Sequence, residues 1–183
     1  CVEFKWNTKL EDIEQEPIVK TNMYGNYNFI NLLCAACVGN YFGVNKNDIN
    51  AALASYVPEM NRSQIKKTKS NTIILDAYNA NPSSMYSAID NFQRQNTKNK
   101  IMILGDMFEL GDFSYNEHET VLKQLINGDV KNVILIGMQF CQLKDKYLTF
   151  RFFETISDFE KHIKPNEILD STILIKGSRG MKL

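Results

Sequence analysis

The chain has 183 residues, of which 44% are hydrophobic and 23% are charged, as is ordinary for a globular protein. Lys+Arg and Asp+Glu are equal at 21 each, so no basic excess points to nucleic acid. No apolar stretch approaches the roughly 20 residues of a membrane span, and no signal peptide is visible. Because the sequence begins at Cys1 and stops abruptly at Leu183, we expect a piece of a longer protein.

The first part of the chain predicts a strand followed by two helices. Residues 2–6 alternate apolar and polar side chains, which indicates a strand. A helix opens after residues 25–28, and Gly43 ends it. A second helix over 48–56 is capped by Asn47 and stopped by Pro58, beside which we place a domain boundary.

The spacing of the four cysteines predicts free thiols rather than a metal site or disulfides. Cys34 and Cys37 have C-x-x-C spacing, but helical periodicity predicts both on the buried face of the first helix. No second Cys/His pair completes a zinc site. Few cysteines without a pattern suit a reducing cytoplasm.

From residue 71 onward, strands alternate with helices. Apolar runs at 72–75, 101–104, 133–136, 150–153 and 172–175 predict strands, mostly buried on both faces as in a parallel sheet. The helices between them start at Pro82 behind an Asn81 cap, at a Ser114 capping box, and at Ser157. The pattern predicts an α/β fold: a Rossmann-like, doubly wound, mostly parallel sheet preceded by a short, mainly helical remnant.

Three strand-ending loops carry the chemistry of this half. The stretch IILDAYNANPSSM at 73–85 ends a strand with a carboxylate and two amides, GDMFELG fills 105–111, and KGSRG fills 176–180. Right-handed crossovers place the carboxyl ends of parallel strands on one edge, so these loops should converge. No phosphate loop and no G-x-G-x-x-G motif are present, so a self-contained nucleotide site is not expected.

These motifs resemble the carboxyl-terminal domain of the Mur ligases. The segments are DAYNANP at 76–82, GDMFELG at 105–111 with His118 after it, and KGSR at 176–179. Upstream, GNYNFIN at 25–31 and NRS at 61–63 resemble the last helices of that family's central ATPase domain. The order of these motifs resembles that in the family members that add D-alanyl-D-alanine. The Asp-Asn-Pro-Arg motif of the ligases that add meso-diaminopimelate or lysine is absent.

The resemblance implies an ATP-dependent acid–amino-acid ligase of peptidoglycan precursor synthesis. Such enzymes phosphorylate the carboxylate of UDP-N-acetylmuramoyl-tripeptide, and the amine of D-alanyl-D-alanine then attacks the acyl phosphate. It implies three regions: 1–58, the end of a central ATP-binding domain; 59–71, an interdomain linker; and 72–183, the Rossmann-like ligase domain. ATP and Mg²⁺ are the expected cofactors, with the phosphate loop and magnesium ligands in the absent central sequence. We therefore expect the chain alone to be inactive, and the protein to be a cytoplasmic monomer that neither binds nucleic acid nor inserts into membranes.

The resemblance also implies residue roles, all of them in binding. Two amides would face adenine, an arginine would reach the phosphates, a carboxylate would hold the ribose hydroxyls, and a tyrosine would flank the nucleotide: Asn28, Asn31, Arg62, Asp76 and Tyr78. The substrate face would comprise Asn79, Asn81, Glu109, Lys176, Ser178 and Arg179. No catalytic residue and no metal ligand is predicted, because catalysis here would come from positioning and charge neutralisation. A structural role is favoured for His118.

Two alternatives remain open on the sequence. One is a Rossmann-like module that binds a nucleotide or amino acid without catalysis. The other is a related ligase, of the folylpolyglutamate or cyanophycin type, which joins a different amine.

Overall fold

The computed structural model describes residues 1–128 and 130–183, apart from the side chains of Leu10 and Glu11. The chain forms two compact units, Cys1–Glu59 and Met60–Leu183, and each is described by itself. No helix among the described residues is long and apolar enough to cross a membrane.

The first unit packs two helices with a two-stranded ribbon. Strands β1 (Glu3–Phe4) and β2 (Val19–Lys20) pair antiparallel, with a 3-10 turn at Leu10–Gln15 between them. A 3-10 turn at Asn26–Asn28 leads into α1 (Phe29–Tyr41), and α2 (Lys46–Ser55) follows. The core is made by alternate residues of β1 and its flanks, one residue of β2 and one stripe of each helix: Val2, Phe4, Trp6, Val19, Leu32, Ala36, Ile49 and Leu53.

Two details of this unit differ from the sequence prediction. The cap of α2 is Asn45, whose side chain accepts from the Asn47 amide at 2.8 Å, so the helix begins earlier than expected. Cys34 and Cys37 are exposed, not buried. Helix α1 is apolar on more than one face, and the stripe through Leu32 and Ala36 is the one that enters this unit's core. Periodicity alone could not choose between these faces.

The second unit is built on a six-stranded sheet. Its strands are β3 (Gln64–Lys67), β4 (Thr72–Asp76), β5 (Lys100–Gly105), β6 (Asn132–Ile136), β7 (Arg151–Phe153) and β8 (Thr172–Lys176). They lie in the order β3-β4-β8-β5-β6-β7, and every pair is parallel except β3 with β4. The five strands predicted from apolar runs are confirmed, and the mostly parallel α/β fold with them. Strand β3 is new, because its sequence QIKK is polar and lies on the edge.

Helices cover this sheet. They are α3 (Pro82–Gln93), α4 (Ser114–Ile126), the short α5 (Met138–Cys141) and α6 (Ile156–His162). Ile101 and Ile103 of β5 join a core cluster with α6 residues such as Ile156 and Phe159. Met102 and Leu104, which are fully buried, point to the opposite face because side chains alternate along a strand.

The helix starts confirm one predicted cap and correct two. Asn81 caps α3 in a reciprocal capping box with Ser84, and Pro82 is the first helical residue. At α4 a 3-10 turn, Gly111–Phe113, runs directly into the helix, so the predicted Ser114 box does not form. At α6 the capping side chain is Thr155, whose hydroxyl accepts from the Asp158 amide, rather than Ser157.

Candidate functional site

The loops after β4, β5 and β8 converge at one edge of the sheet, as the sequence predicts. Ser178 joins them: its hydroxyl accepts from the Phe108 amide at 2.8 Å and lies 3.4 Å from the Ala80 carbonyl. The Ser178 amide donates to the Asp106 carbonyl at 3.0 Å. Ser178 is only 3% exposed, and these hydrogen bonds connect the three loops.

A cleft of about 240 Å³ opens between these loops, and most of its lining was predicted from the sequence. It is formed by Tyr78, Asn79, Phe108, Glu109, Ser178, Arg179 and Gly180. A larger cleft of about 420 Å³ lies at the opposite edge, against residues such as Asn132 and Arg151 at the amino ends of the strands. The smaller cleft is the candidate ligand site, because ligands of open α/β sheets bind at the carboxyl ends of the strands.

Two arginines flank Tyr78 beside this cleft. The Arg62 guanidinium lies 3.7 Å from the centre of the Tyr78 ring, and the Arg179 guanidinium lies 5.4 Å from it. A hydrogen bond from Arg62, and then the charges of Arg62 and Arg179, lower the pKa of the Tyr78 phenol. Neither guanidinium forms an ion pair with a carboxylate within the described part of the chain. Two exposed guanidinium groups therefore give this strand-end rim a positive charge with which an anion could pair.

Asp76 stands behind this surface with its carboxylate largely engaged. Its Oδ2 atom accepts from Lys176 Nζ at 2.7 Å, while Oδ1 accepts from the amide and the hydroxyl of Ser63 at 3.0 and 3.1 Å. A carboxylate has about four acceptor sites, so about one remains for an outside donor. Asp76 can thus hold a single ligand hydroxyl without giving up an internal bond.

Of the remaining predicted substrate residues, some have side chains bonded within the protein and others have side chains exposed to solvent. Lys176 is 2% exposed and its ammonium faces Asp76, so this geometry offers no direct substrate contact. Asn81 is committed to the cap of α3. Asn79 and Glu109 are exposed, and Glu109 has a φ of 64°, in the left-handed region, at the tip of the second loop.

Asn28 and Asn31 belong to the first unit. The Asn28 side chain is 6% exposed, and its amide donates to the Tyr24 carbonyl at 2.7 Å. Asn31 is exposed and donates to Asn28 Oδ1 at 3.0 Å. Asn28 therefore orients Asn31 at the start of α1.

Two features of the rim were missed by sequence reasoning. Ser63, which binds Asp76, lies in a short polar stretch whose only signal was the NRS motif. Asp106 belongs to the GDMFELG segment at 105–111, but its partners lie too far along the chain to be predicted from that motif. Its carboxylate accepts from the Gln139 and Phe140 amides at 2.9 and 3.0 Å, and it faces His118.

The fold and rim define a class: a Rossmann-like α/β domain with a positively charged rim at its strand ends. Residues 61–179 match the family described as "Mur ligase, glutamate ligase domain". The chain belongs to the Mur ligase family.

Two similar proteins of known name carry the same ligase name. The chain is 31% identical over 167 residues to the UDP-N-acetylmuramoyl-tripeptide–D-alanyl-D-alanine ligase of Bacillus subtilis, covering 87% of this chain and 36% of that protein. It is 30% identical to the ligase of the same name from Buchnera aphidicola, with coverages of 96% and 38%. A crystal structure of MurF from Acinetobacter baumannii superposes with a TM-score of 0.78 at 27% identity, covering 90% of this chain and 38% of that one. The chain thus spans little more than a third of the length of these relatives.

Proposed function

We propose that this chain supplies the carboxyl-terminal part of an ATP-dependent ligase that joins D-alanyl-D-alanine to UDP-N-acetylmuramoyl-tripeptide in peptidoglycan precursor synthesis. The observation that carries the proposal is the pair of exposed arginines, Arg62 and Arg179, on either side of Tyr78 at the strand ends of a Mur ligase domain. Relatives with that ligase name at 30–31% identity support the choice of substrates. In this scheme residues 1–58 complete the central ATP-binding domain, 59–71 form the linker, and 72–183 form the ligase domain.

The reaction would proceed in two steps. The tripeptide carboxylate attacks the γ-phosphate of ATP, which gives an acyl phosphate and ADP. The amine of D-alanyl-D-alanine then attacks the acyl carbon, loses a proton, and expels inorganic phosphate as the amide bond forms. Both steps move negative charge onto phosphate oxygens, so a fixed guanidinium lowers the barrier by electrostatic stabilisation.

On the nucleotide side, Arg62 would contact the phosphates and Tyr78 would flank the nucleotide. Asp76 would accept one ribose hydroxyl with the acceptor site that its internal partners leave open. Asn31, oriented by Asn28, would face the adenine edge. A Thermotoga maritima MurF ligase of the same fold was solved in complex with ADP, at a TM-score of 0.68 and 22% identity.

On the amine side, the cleft would take the zwitterionic dipeptide. Arg179 would pair with its carboxylate, and Glu109 and Asn79 would line the pocket around its amine. Among the residues that the structure describes, no group of three or more His, Cys, Asp or Glu side chains could hold a metal ion. We assign no step of this chain's residues to Mg²⁺, which would accompany ATP on ligands elsewhere. A cytoplasmic monomer is part of the same proposal.

The test is a coupling assay on the product of the complete open reading frame that encodes this chain. Phosphate release should require ATP, the UDP-muramoyl tripeptide and D-alanyl-D-alanine together, and the 183-residue chain alone should release none. Release with another amino acid, such as glutamate, in place of the dipeptide would indicate the alternative of a related ligase that joins a different amine. Nucleotide binding with no release under any combination would indicate a non-catalytic module.

Two variants sharpen the assignment of the two arginines. Arg179→Ala should raise the KM for D-alanyl-D-alanine at least about tenfold, the cost of losing a charge-assisted hydrogen bond, while Arg62→Ala should do the same for ATP. Arg94→Ala is the matched control, because that exposed arginine pairs with Asp90 on α3. If Arg179→Ala and Asn79→Ala together leave dipeptide binding intact, the substrate side of the proposal is wrong.

A further inference from the structure

Lys176 is a charged side chain almost wholly removed from solvent, at the sheet edge where the strands have their carboxyl ends. It ends β8 and stands in register opposite Asp76 of β4. Its ammonium lies 2.7 Å from Asp76 Oδ2 and 3.5 Å from the carbonyl oxygens of Asp76 and Asn79. An ammonium has three donors, and these three acceptors account for them. A buried charge must keep such partners, so Lys176 has nothing to offer an incoming substrate.

The other oxygen of Asp76 fixes a turn of unfavourable backbone geometry. Ser63, whose amide and hydroxyl both donate to Asp76 Oδ1, has a φ of 51°, and Met60 and Asn61 have φ values of 54° and 57°. Left-handed conformations of residues other than glycine cost free energy and persist where the surroundings impose them. Asp76 is one constraint on this turn, because its Oδ1 atom accepts two hydrogen bonds from the last residue, Ser63.

The turn carries the phosphate-binding candidate. Arg62 immediately precedes Ser63, and its guanidinium stacks 3.7 Å from the ring centre of Tyr78, two residues beyond Asp76. The ion pair, the turn and the stacked arginine therefore form one connected unit. Its order is Lys176 to Asp76, Asp76 to Ser63, and Ser63 to the adjacent Arg62.

We propose that Lys176 is a positioning residue that holds the Asp76 carboxylate in place for Ser63 and thereby fixes Arg62 over Tyr78, without touching substrate. The functional consequence rests on the proposed ligase activity, whereas the structural coupling does not. Removing the ammonium leaves a poorly hydrated carboxylate without its cation, so Asp76 turns toward water and releases the turn. Arg62 then loses its stacked position, and the nucleotide side of the site loses more order than the dipeptide side, where Lys176 makes a longer contact of 3.5 Å with the Asn79 carbonyl.

The coupling is tested first by NMR on the 183-residue chain. Arg62 side-chain protons should be shifted upfield by the Tyr78 ring, and Tyr78→Leu defines their position without the ring. In Lys176→Met we expect the Arg62 signals to move most of the way to that reference, while the amide spectrum of the sheet stays dispersed. Lys161→Met, an exposed lysine on α6, should leave them unchanged. Unchanged Arg62 signals in a folded Lys176→Met chain would overturn the proposal.

Should Lys176→Met fail to fold, Ser63→Ala decides the matter. It keeps the buried ion pair and removes only the hydroxyl bond to Asp76, so a partial downfield movement of the Arg62 signals is expected. No movement in Ser63→Ala overturns the proposal.

The functional arm uses the complete enzyme. Lys176→Met should raise the KM for ATP about tenfold or more and leave the KM for D-alanyl-D-alanine within about twofold. The reverse pattern would make Lys176 a substrate ligand and refute the positioning role. Absence of D-alanyl-D-alanine coupling in the unmodified enzyme would refute the proposed function alone, since the NMR result still decides the coupling.

Discussion

Asp106 Oδ1 lies 3.7 Å from His118 Nε2, and both side chains are almost excluded from solvent. The His118 ring is oriented by two backbone contacts: Nδ1 lies 2.7 Å from the Ser114 carbonyl, and Nε2 accepts from the Met107 amide at 3.0 Å. The ring is therefore neutral, with its proton on Nδ1, because only an unprotonated Nε2 can accept. The pair thus pins the start of the second rim loop to α4.

This geometry makes stability depend on pH. Burial lowers the pKa of His118 below its ordinary 6.5, against the opposing effects of the Ser114 carbonyl and the charges of Asp106 and Glu117. Between the lowered pKa of folded His118 and 6.5, the unfolded chain binds more protons than the folded chain. The stability that neutral His118 contributes is therefore fully present above pH 6.5 and is lost as the pH falls below it. Urea unfolding at about pH 7.5, 6.5 and 5.5 should show this loss in the unmodified chain.

His118→Gln should reduce that loss, because an amide oxygen can accept from the Met107 amide without titrating. The control is His162→Gln, which changes the other histidine of the chain, an exposed residue on α6. Burial raises the pKa of Asp106 above its ordinary value of 3.8. This shift has the opposite effect on stability, because between 3.8 and the raised pKa the folded chain binds more protons than the unfolded chain. An equally steep loss in His118→Gln would show that another group is responsible.

Asp106 also holds the first turn of α5, and replacing its carboxylate should weaken that contact. Its two oxygens accept separately from the Gln139 and Phe140 amides. The side-chain amide introduced by Asp106→Asn would offer one oxygen and would oppose the other backbone amide with an NH₂ group. We expect Asp106→Asn to cost about 1–2 kcal/mol at about pH 7.5 by urea unfolding, the range for losing a helix cap. Asp145→Asn, at an exposed position, should be neutral within about 0.5 kcal/mol.

Gly137 precedes α5 at a position that a larger residue cannot occupy. Its φ is 131°, and a Cβ there would overlap the Asp106 carboxylate. Gly137→Ala should therefore cost roughly 3 kcal/mol, from backbone strain and displacement of Asp106 together. Gly111→Ala separates the two effects, since Gly111 also has a positive φ of 52° but faces open space, and it should cost about 1–2 kcal/mol. Equal losses in the two variants would remove Asp106 from the explanation.

The elements that the sequence predicted are those with strong local signals. Strands such as β5 and β6 are continuously apolar, and α3 starts at Asn81-Pro82, where cap and φ preference agree. The prediction for α1 was wrong in one respect: Cys34 and Cys37 lie on an apolar stripe that this unit does not bury. Strand β3 was not predicted, because it is a strand through its pairing with β4 and not through its own composition.

The site divides in the same way. The loops converge because of the chirality of parallel connections, which a sequence of alternating strands and helices already implies. The contacts of Asp76 could not be predicted, since Ser63 lies 13 residues away and Lys176 lies 100 residues away along the chain. Whether a polar side chain at the rim faces a ligand or another side chain depends on such pairings. Lys176 and Ser178 proved to be internal, whereas Arg62 and Arg179 are exposed.

Asn81 provides a final test, in which capping and substrate contact make different predictions. Its side-chain oxygen accepts from the Ser84 amide at 2.9 Å, and the Ser84 hydroxyl accepts from the Asn81 amide at 3.1 Å. Asn81→Ala should cost about 1 kcal/mol of stability, and Asn81→Asp should restore it, because Asp caps as well as Asn. If Asn81 acts only as a cap, Asn81→Asp in the complete enzyme will also keep the KM for D-alanyl-D-alanine. A normal stability combined with a raised KM in Asn81→Asp would instead mean that the side-chain amide donates to the substrate.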